Sequence, residues 1–235
     1  MRFVTTCHKA GFDNYGHRLL AGWKHFPKEA ELWWYTEGYE LPDTERVTPR
    51  DITQIENLMA FKARHKEYIA PEFDVDVVRF SHKVYAAVNA LMDYDGIGGW
   101  IDADCVPYKD IPLDFLMDSL GDSYIACFQR PGSYTETGFW LVNCGHEIHK
   151  PFMDLWQKWY DQDAFTQLPG WTDCHTLDAT LFRSKAKVSN MSGEYGNDPS
   201  NHPMAKAEIA KYIDHCKGDR KDWGYSKENL LRNKK

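Results

Sequence analysis

An α/β architecture is what this sequence predicts: a mostly parallel central sheet flanked by helices, in one domain over residues 1–235. Three observations predict it. Short β-type apolar stretches alternate with segments whose bulky residues recur every three or four positions. The 235 residues are 43% hydrophobic and 27% charged, enough to bury a full core. No linker rich in Pro, Gly or Ser divides the chain, and no internal repeat or low-complexity segment interrupts it.

The elements follow in order. "MRFVTTC" reads as a first strand, and "HKAGFDNYGH" as the turn after it. "HRLLAGWKHF" has helical spacing, and "AELWWYTEG" is a second strand ended by Gly38. Residues 39–55, with Pro42 and Pro49, read as a loop. "LMAFKARHKEYI" and "FSHKVYAAVNALMDY" carry the apolar stripe of amphipathic helices. "GGWIDADCV" is the next strand, and "SYIACFQ" and "TGFWLVN" are two more. "PFMDLWQKWYDQ" reads as a helix with Pro151 at its first position, its Trp156 and Trp159 facing the core. "TLDATLF" reads as a short helix or turn, and "MAKAEIAKYIDHCKG" as a helix ending near Gly218. His146 and His149 in "HEIHK" lack the spacing of a zinc-protease helix and read as surface residues.

A net charge of −7 argues against a general nucleic-acid coat protein. The stretch from Lys217 to Lys235 is nevertheless locally basic, with seven Lys/Arg against three Asp/Glu. The six cysteines are scattered with no CxxC pair, and no signal-peptide core follows Met1. No apolar run approaches the roughly 20 residues that span a bilayer. These features predict a reduced, cytoplasmic chain without a membrane span.

Asp102 and Asp104, in "GGWIDADCVPYKDIP", stand one residue apart where an apolar strand ends. Like charges so close repel, and burial makes keeping both ionised costlier. A shared divalent cation removes both problems, as does chemistry that needs one carboxylate protonated. Oxygen donors suit Mn²⁺ or Mg²⁺, which commonly bridge to substrate phosphates.

Two family resemblances follow from this pair. "WIDADCV" resembles the signature of haloacid-dehalogenase-like phosphohydrolases. That would make Asp102 a covalent nucleophile and Asp104 an acid/base, with "GDRKD" as the one candidate for the later acidic motif. The sequence also resembles glycosyltransferases of the GT-A fold, and more specifically the retaining glycosyltransferase family 8, the glycogenin and galactosyltransferase type. That family ends its catalytic domain with H-x-x-G-x-x-K-P-W. Here "HCKGDRKDW" places His215, Gly218, Lys221 and Trp223 at the same spacing, with Asp222 replacing the proline. The resemblance implies that Asp102, Asp104 and His215 hold Mn²⁺ or Mg²⁺ on the diphosphate of a nucleotide-sugar. Gly218 would let the backbone approach the phosphates, and Lys221 would offset their charge.

Further matches fall in family order. "DNYGHRLL" resembles the segment whose Tyr, here Tyr15, stacks on the nucleobase, and Thr5 and Thr6 become candidates for base or ribose contacts. Arg79 and Lys83 share a helix face, which would place Lys83 beside the donor. "ETGFWLVN" resembles the family's "NAGVLLIN", with Gly138 kept and Glu136 where the sugar-contacting Asn stands. "DCHTLD" resembles "DQDILN": Asp173 is retained as a sugar contact, while Cys174 and His175 replace Gln and the second Asp. Trp171, before Asp173, is the candidate acceptor platform.

The implied reaction is sugar transfer from a nucleoside diphosphate, UDP by resemblance, to an acceptor hydroxyl with retained anomeric configuration. "RFSHKVYAA" and the short length are similar to small bacteriophage-encoded glycosyltransferases. That similarity would place the enzyme in a host cytoplasm and admits a hydroxymethylated DNA base as acceptor. A glycan or a protein hydroxyl fits equally well. The altered "DCHTLD" leaves open a non-catalytic module that binds a nucleotide-sugar or glycan.

Overall fold

The computed structural model describes residues 1–130, 132–193, 202–229 and 232. The chain runs from β1 (Arg2–His8) into α1 (Lys9–Gly11), a π-helical turn, and α2 (His17–Gly22). β2 (Glu31–Glu37), β3 (Val47–Asp51), α3 (Glu56–Arg64), α4 (Val77–Leu91) and β4 (Ile97–Ile101) come next. The middle holds β5 (Cys105–Pro107), α5 (Leu113–Leu120), β6 (Ile125–Phe128), β7 (Glu136–Asn143) and α6 (His149–Asp161). The last elements are α7 (Asp173–Ser184), β8 (Val188–Asn190), α8 (Pro203–Lys206), β9 (Ile213–His215) and α9 (Arg220–Trp223).

Seven strands form one sheet in the order β3-β2-β1-β4-β7-β6-β8, and β5 pairs with β9 in a separate ribbon. Only β7 runs against the other six. Both faces of the sheet are covered, and alternation along the strands assigns each side chain to a face. Val4, Tyr35, Trp100, Trp140 and Val142 pack on one side with α3, α4, α6 and α7. Phe3, Trp34, Ile101, Phe139 and Leu141 pack on the other with α2 and α5. Trp33 and Trp34 thus face opposite ways, and the outer Trp33 is sandwiched between the guanidiniums of Arg2 and Arg50.

Several elements differ from the sequence reading. The loop predicted for residues 39–55 contains β3, an edge strand whose free edge accommodates Pro49. The turn after β1 is helical through Gly22. "TLDATLF" is the body of the twelve-residue α7. α6 begins at His149, so Pro151 is its third residue. His149 is not on the surface. It is buried, with one ring nitrogen on the Leu91 carbonyl and the other at the Tyr124 hydroxyl. The helix predicted over residues 204–218 stops after Lys206, because Ile213–His215 instead pair with Cys105–Pro107. Tertiary pairing outweighs the helix propensity of the Ala- and Lys-rich segment. No described helix is long and apolar enough to cross a membrane.

Candidate active site

The site is built where β4 ends and the ribbon begins. Asp102 leaves β4, and its backbone N–H donates to the Gly138 carbonyl of β7 at 2.8 Å. Two residues later Asp104 enters β5. Pairing of Cys105 with His215 then brings an imidazole from the far end of the sequence against both acids. His215 Nε2 lies 3.0 Å from Asp104 Oδ1 and 3.8 Å from Asp102 Oδ2. Gly138 is the seat of that ring: a Cβ there would stand 2.7 Å from His215 Nδ1. Only glycine leaves the imidazole its place.

Lysines neutralise the remaining acids. Lys83, from α4, lies 2.8 Å from both Asp102 Oδ1 and Asp173 Oδ2 and also donates to the Thr137 carbonyl. Burial alone would lower its pKa, but the two carboxylates hold it above the ordinary lysine value. Asp173 is the first residue of α7, 2% exposed, and accepts the Thr137 hydroxyl at 2.5 Å. Lys221 lies 3.1 Å from Asp104 Oδ2, and its ammonium also sits 4.6 Å from the centre of the Tyr15 ring. Glu136 is buried, receives the Gly138 N–H and pairs with Lys217 at 3.0 Å. Burial would raise the Glu136 carboxyl, but Lys217 and then His215 pull it well below the usual range. Asp104 follows the same logic, with His215 and Lys221 overcoming burial. His215 is raised, since the carboxylates of Asp104, Glu136 and Asp102 outweigh its burial.

The donor set fits a divalent cation. Asp104 Oδ1 and both nitrogens of His215 are buried without a hydrogen-bond partner among the described residues. The 3.0 Å approach of Asp104 to His215 is too poorly aligned to count as one. Each such orphaned atom costs on the order of 1–3 kcal/mol. Two groups, Asp104–Cys105–His215 and Asp102–Glu136–His215, each keep one donor atom per residue within 4.8 Å of the others. The separation of about 3.0 Å is the spacing of adjacent ligands around an octahedral ion with arms near 2.1 Å.

Of the residues singled out from sequence, Tyr15, Lys83, Asp102, Asp104, Glu136, Gly138, Asp173, His215 and Lys221 form one chain of contacts. Gly218 stands just beyond, exposed, with a φ of +66° that turns the chain from β9 towards α9. Thr5 is fully buried, and Thr6 donates to the Tyr35 carbonyl of the neighbouring strand. Trp171 packs against Phe165 and Tyr68, with its backbone N–H on the Asp74 carbonyl. Lys217 and Thr137 were missed. Lys217 lies at a position the quoted family pattern leaves variable, and Thr137 stands where the family's strand has Ala. His202 was missed as well. Its ring meets that of His215 edge to face at 4.7 Å, and burial, then the neighbouring His215, lowers its pKa to about 3. The basic tail is described only in part: Lys221 and Arg232 are placed, whereas Lys234 and Lys235 lie outside the described residues.

No protein-family model matches the chain, and no curated protein matches it in sequence. Solved structures do. Mouse xyloside xylosyltransferase 1 in its apo form is 11% identical with a TM-score of 0.54, over 80% of this chain and 84% of its own. The apo bifunctional glycosyltransferase WbbM is 14% identical with a TM-score of 0.53, over 95% of this chain, which spans about half (46%) of WbbM. The galactosyltransferase LgtC with donor and acceptor sugar analogs, 14% identical over 81% of this chain and 73% of its own, reaches a TM-score of 0.48, too low to bear on the fold. The mostly parallel sheet with its antiparallel β7 is therefore that of the GT-A fold.

Proposed function

We propose that this protein is a cation-dependent glycosyltransferase. It would move a sugar from a nucleoside diphosphate, UDP by motif resemblance, to an acceptor hydroxyl with retention. The observation that carries the reading is the convergence of His215 on Asp102 and Asp104, with buried donor atoms left unpaired, in a GT-A fold. One structural neighbour is a xylosyltransferase and another a bifunctional glycosyltransferase.

In this proposal Asp102, Asp104 and His215 hold Mn²⁺ or Mg²⁺. A bound ion of this kind neutralises charge developing on the departing diphosphate. Lys221 would add a second positive charge beside Asp104, and Tyr15, whose ring centre lies 4.6 Å from the Lys221 ammonium, would stack on the nucleobase as the motif resemblance implies. Asp173 and Glu136 form the floor for the sugar, each already paired with a lysine. Their carboxylate oxygens would accept hydrogen bonds from sugar hydroxyls and favour positive character at the anomeric carbon. Both carboxylates are already tied to a lysine, which leaves neither free to take the acceptor proton. The departing diphosphate oxygen therefore serves as base for the acceptor hydroxyl, on a glycan, a protein or a hydroxymethylated DNA base.

The test is hydrolysis of a UDP-sugar without acceptor in the presence of Mn²⁺. The enzyme should release UDP, and Asp104→Ala should lower the rate by a factor of roughly 100 or more. Turnover of p-nitrophenyl phosphate instead would move the assignment to the phosphohydrolases. Metal-dependent UDP binding without turnover on any sugar would make the protein a binding module.

A further inference from the structure

The Asp104–His215 pair has a third neighbour of different chemistry. Cys105 follows Asp104 directly, and its partner across the ribbon is His215. Residues directly opposite on two paired strands project to the same side. Donor atoms of Asp104, Cys105 and His215 accordingly lie within 4.8 Å of one another, and all three residues are buried. The Cys105 thiol has one weak contact, 3.7 Å to the Gly138 carbonyl. Asp104 Oδ1 and both His215 nitrogens have no hydrogen-bond partner among the described residues.

Two overlapping donor sets result. Asp102, Glu136 and His215 offer oxygen and nitrogen, which suit Mn²⁺ and Mg²⁺. Asp104, Cys105 and His215 add a sulfur, which with imidazole favours zinc. The geometry points to a second cation mode in the ribbon: Asp104, Cys105 and His215 bind Zn²⁺, and in doing so displace the oxygen-ligated ion. On binding, the S–H bond of Cys105 breaks, an S–Zn bond forms and the proton leaves to solvent. Nothing is oxidised or reduced. Three protein ligands leave the fourth tetrahedral position open. Since both sets need His215, the two ions cannot be held together, and zinc takes from the oxygen-ligated ion its nitrogen ligand. Zn²⁺ is then a competitive antagonist of Mn²⁺. This inference rests on the cation site proposed above but not on sugar transfer.

The test is titration of the intact protein with Co²⁺ alone. One equivalent should give a thiolate-to-cobalt charge-transfer band in the near ultraviolet. Zn²⁺ should erase the band at about a tenth or less of the concentration that Mn²⁺ requires. Cys105→Ser should lack the band, whereas Cys174→Ser and Cys216→Ser should keep it. The wild-type titration needs no variant and decides first: cobalt bound without the band overturns the inference. So does a band that survives in Cys105→Ser or disappears in Cys216→Ser, each checked for folding by circular dichroism. A cobalt–thiolate band in a protein that hydrolyses no UDP-sugar supports this inference and sinks the transferase reading. UDP-sugar hydrolysis without the band does the reverse.

Discussion

At the scale of single residues, Lys83 and Gly138 decide most about the site. Lys83 bridges two acids of which Asp173 is almost wholly buried, so removing the ammonium leaves a buried charge unpaired. Lys83→Met should destabilise the protein by about 3 kcal/mol in urea denaturation, and adding Asp173→Asn should recover part of that loss. Gly138→Ala should push its new methyl into the His215 ring. We expect Mn²⁺ affinity, read by calorimetry, to fall by at least about tenfold, with stability reduced by roughly 1–3 kcal/mol. The sequence exposed Gly138 only as part of a strand motif. Its reason, the approach of an imidazole from residue 215, is a tertiary fact that no local pattern encodes.

At the scale of elements, the β5–β9 ribbon is the device that assembles the site, and it was the element least legible in the sequence. β4 was visible, since "GGWI" is an apolar run ended by acids. β9 was hidden, because Ile213–His215 is three residues long and lies in a stretch with strong helix propensity. The spacing of His215, Gly218 and Lys221 nevertheless marked the segment by its chemistry when its secondary structure was misread. β3 was hidden for a similar reason: its proline and its polar residues suit an edge strand as well as a loop. Asp214 ties the ribbon to the segment beyond it: fully buried, it accepts the Ser226 N–H and pairs with Arg232 at 2.7 Å. Asp214→Ala should therefore cost about 3 kcal/mol and expose the segment beyond Cys216 to limited proteolysis, read by mass spectrometry. Lys221, carried by that segment, should lose its hold on Asp104, so UDP binding should weaken in the same variant.

At the scale of the whole molecule, burial sets how stability depends on acidity. His82, His149, His175 and His202 are all shifted below the ordinary histidine value of 6.5, each chiefly by burial, while His215 alone is resolved above it. Groups depressed in the folded state bind fewer protons there than in the unfolded chain. Their contribution is present above about pH 6.5 and is lost as pH falls, and four such groups outweigh the opposite sign of His215. Without added cation, Tm should drop as pH is lowered from about 7 to about 5. A Tm that rises over this range would contradict the burial described. The alternation of strands and helices made the layered fold readable at this scale, because core-facing positions repeat with a regular period. The neutralising lysines were only half readable, because a charge is assigned by its partner and not by its own neighbours in sequence. The partnership of Asp104 with His215 has a temporal side as well. More than a hundred residues separate them, so a growing polypeptide on the ribosome carries its acids long before the imidazole that completes them. A product cut short before residue 215 would display the acids without their third partner, leaving unfinished chains unable to capture the ion and compete for donor.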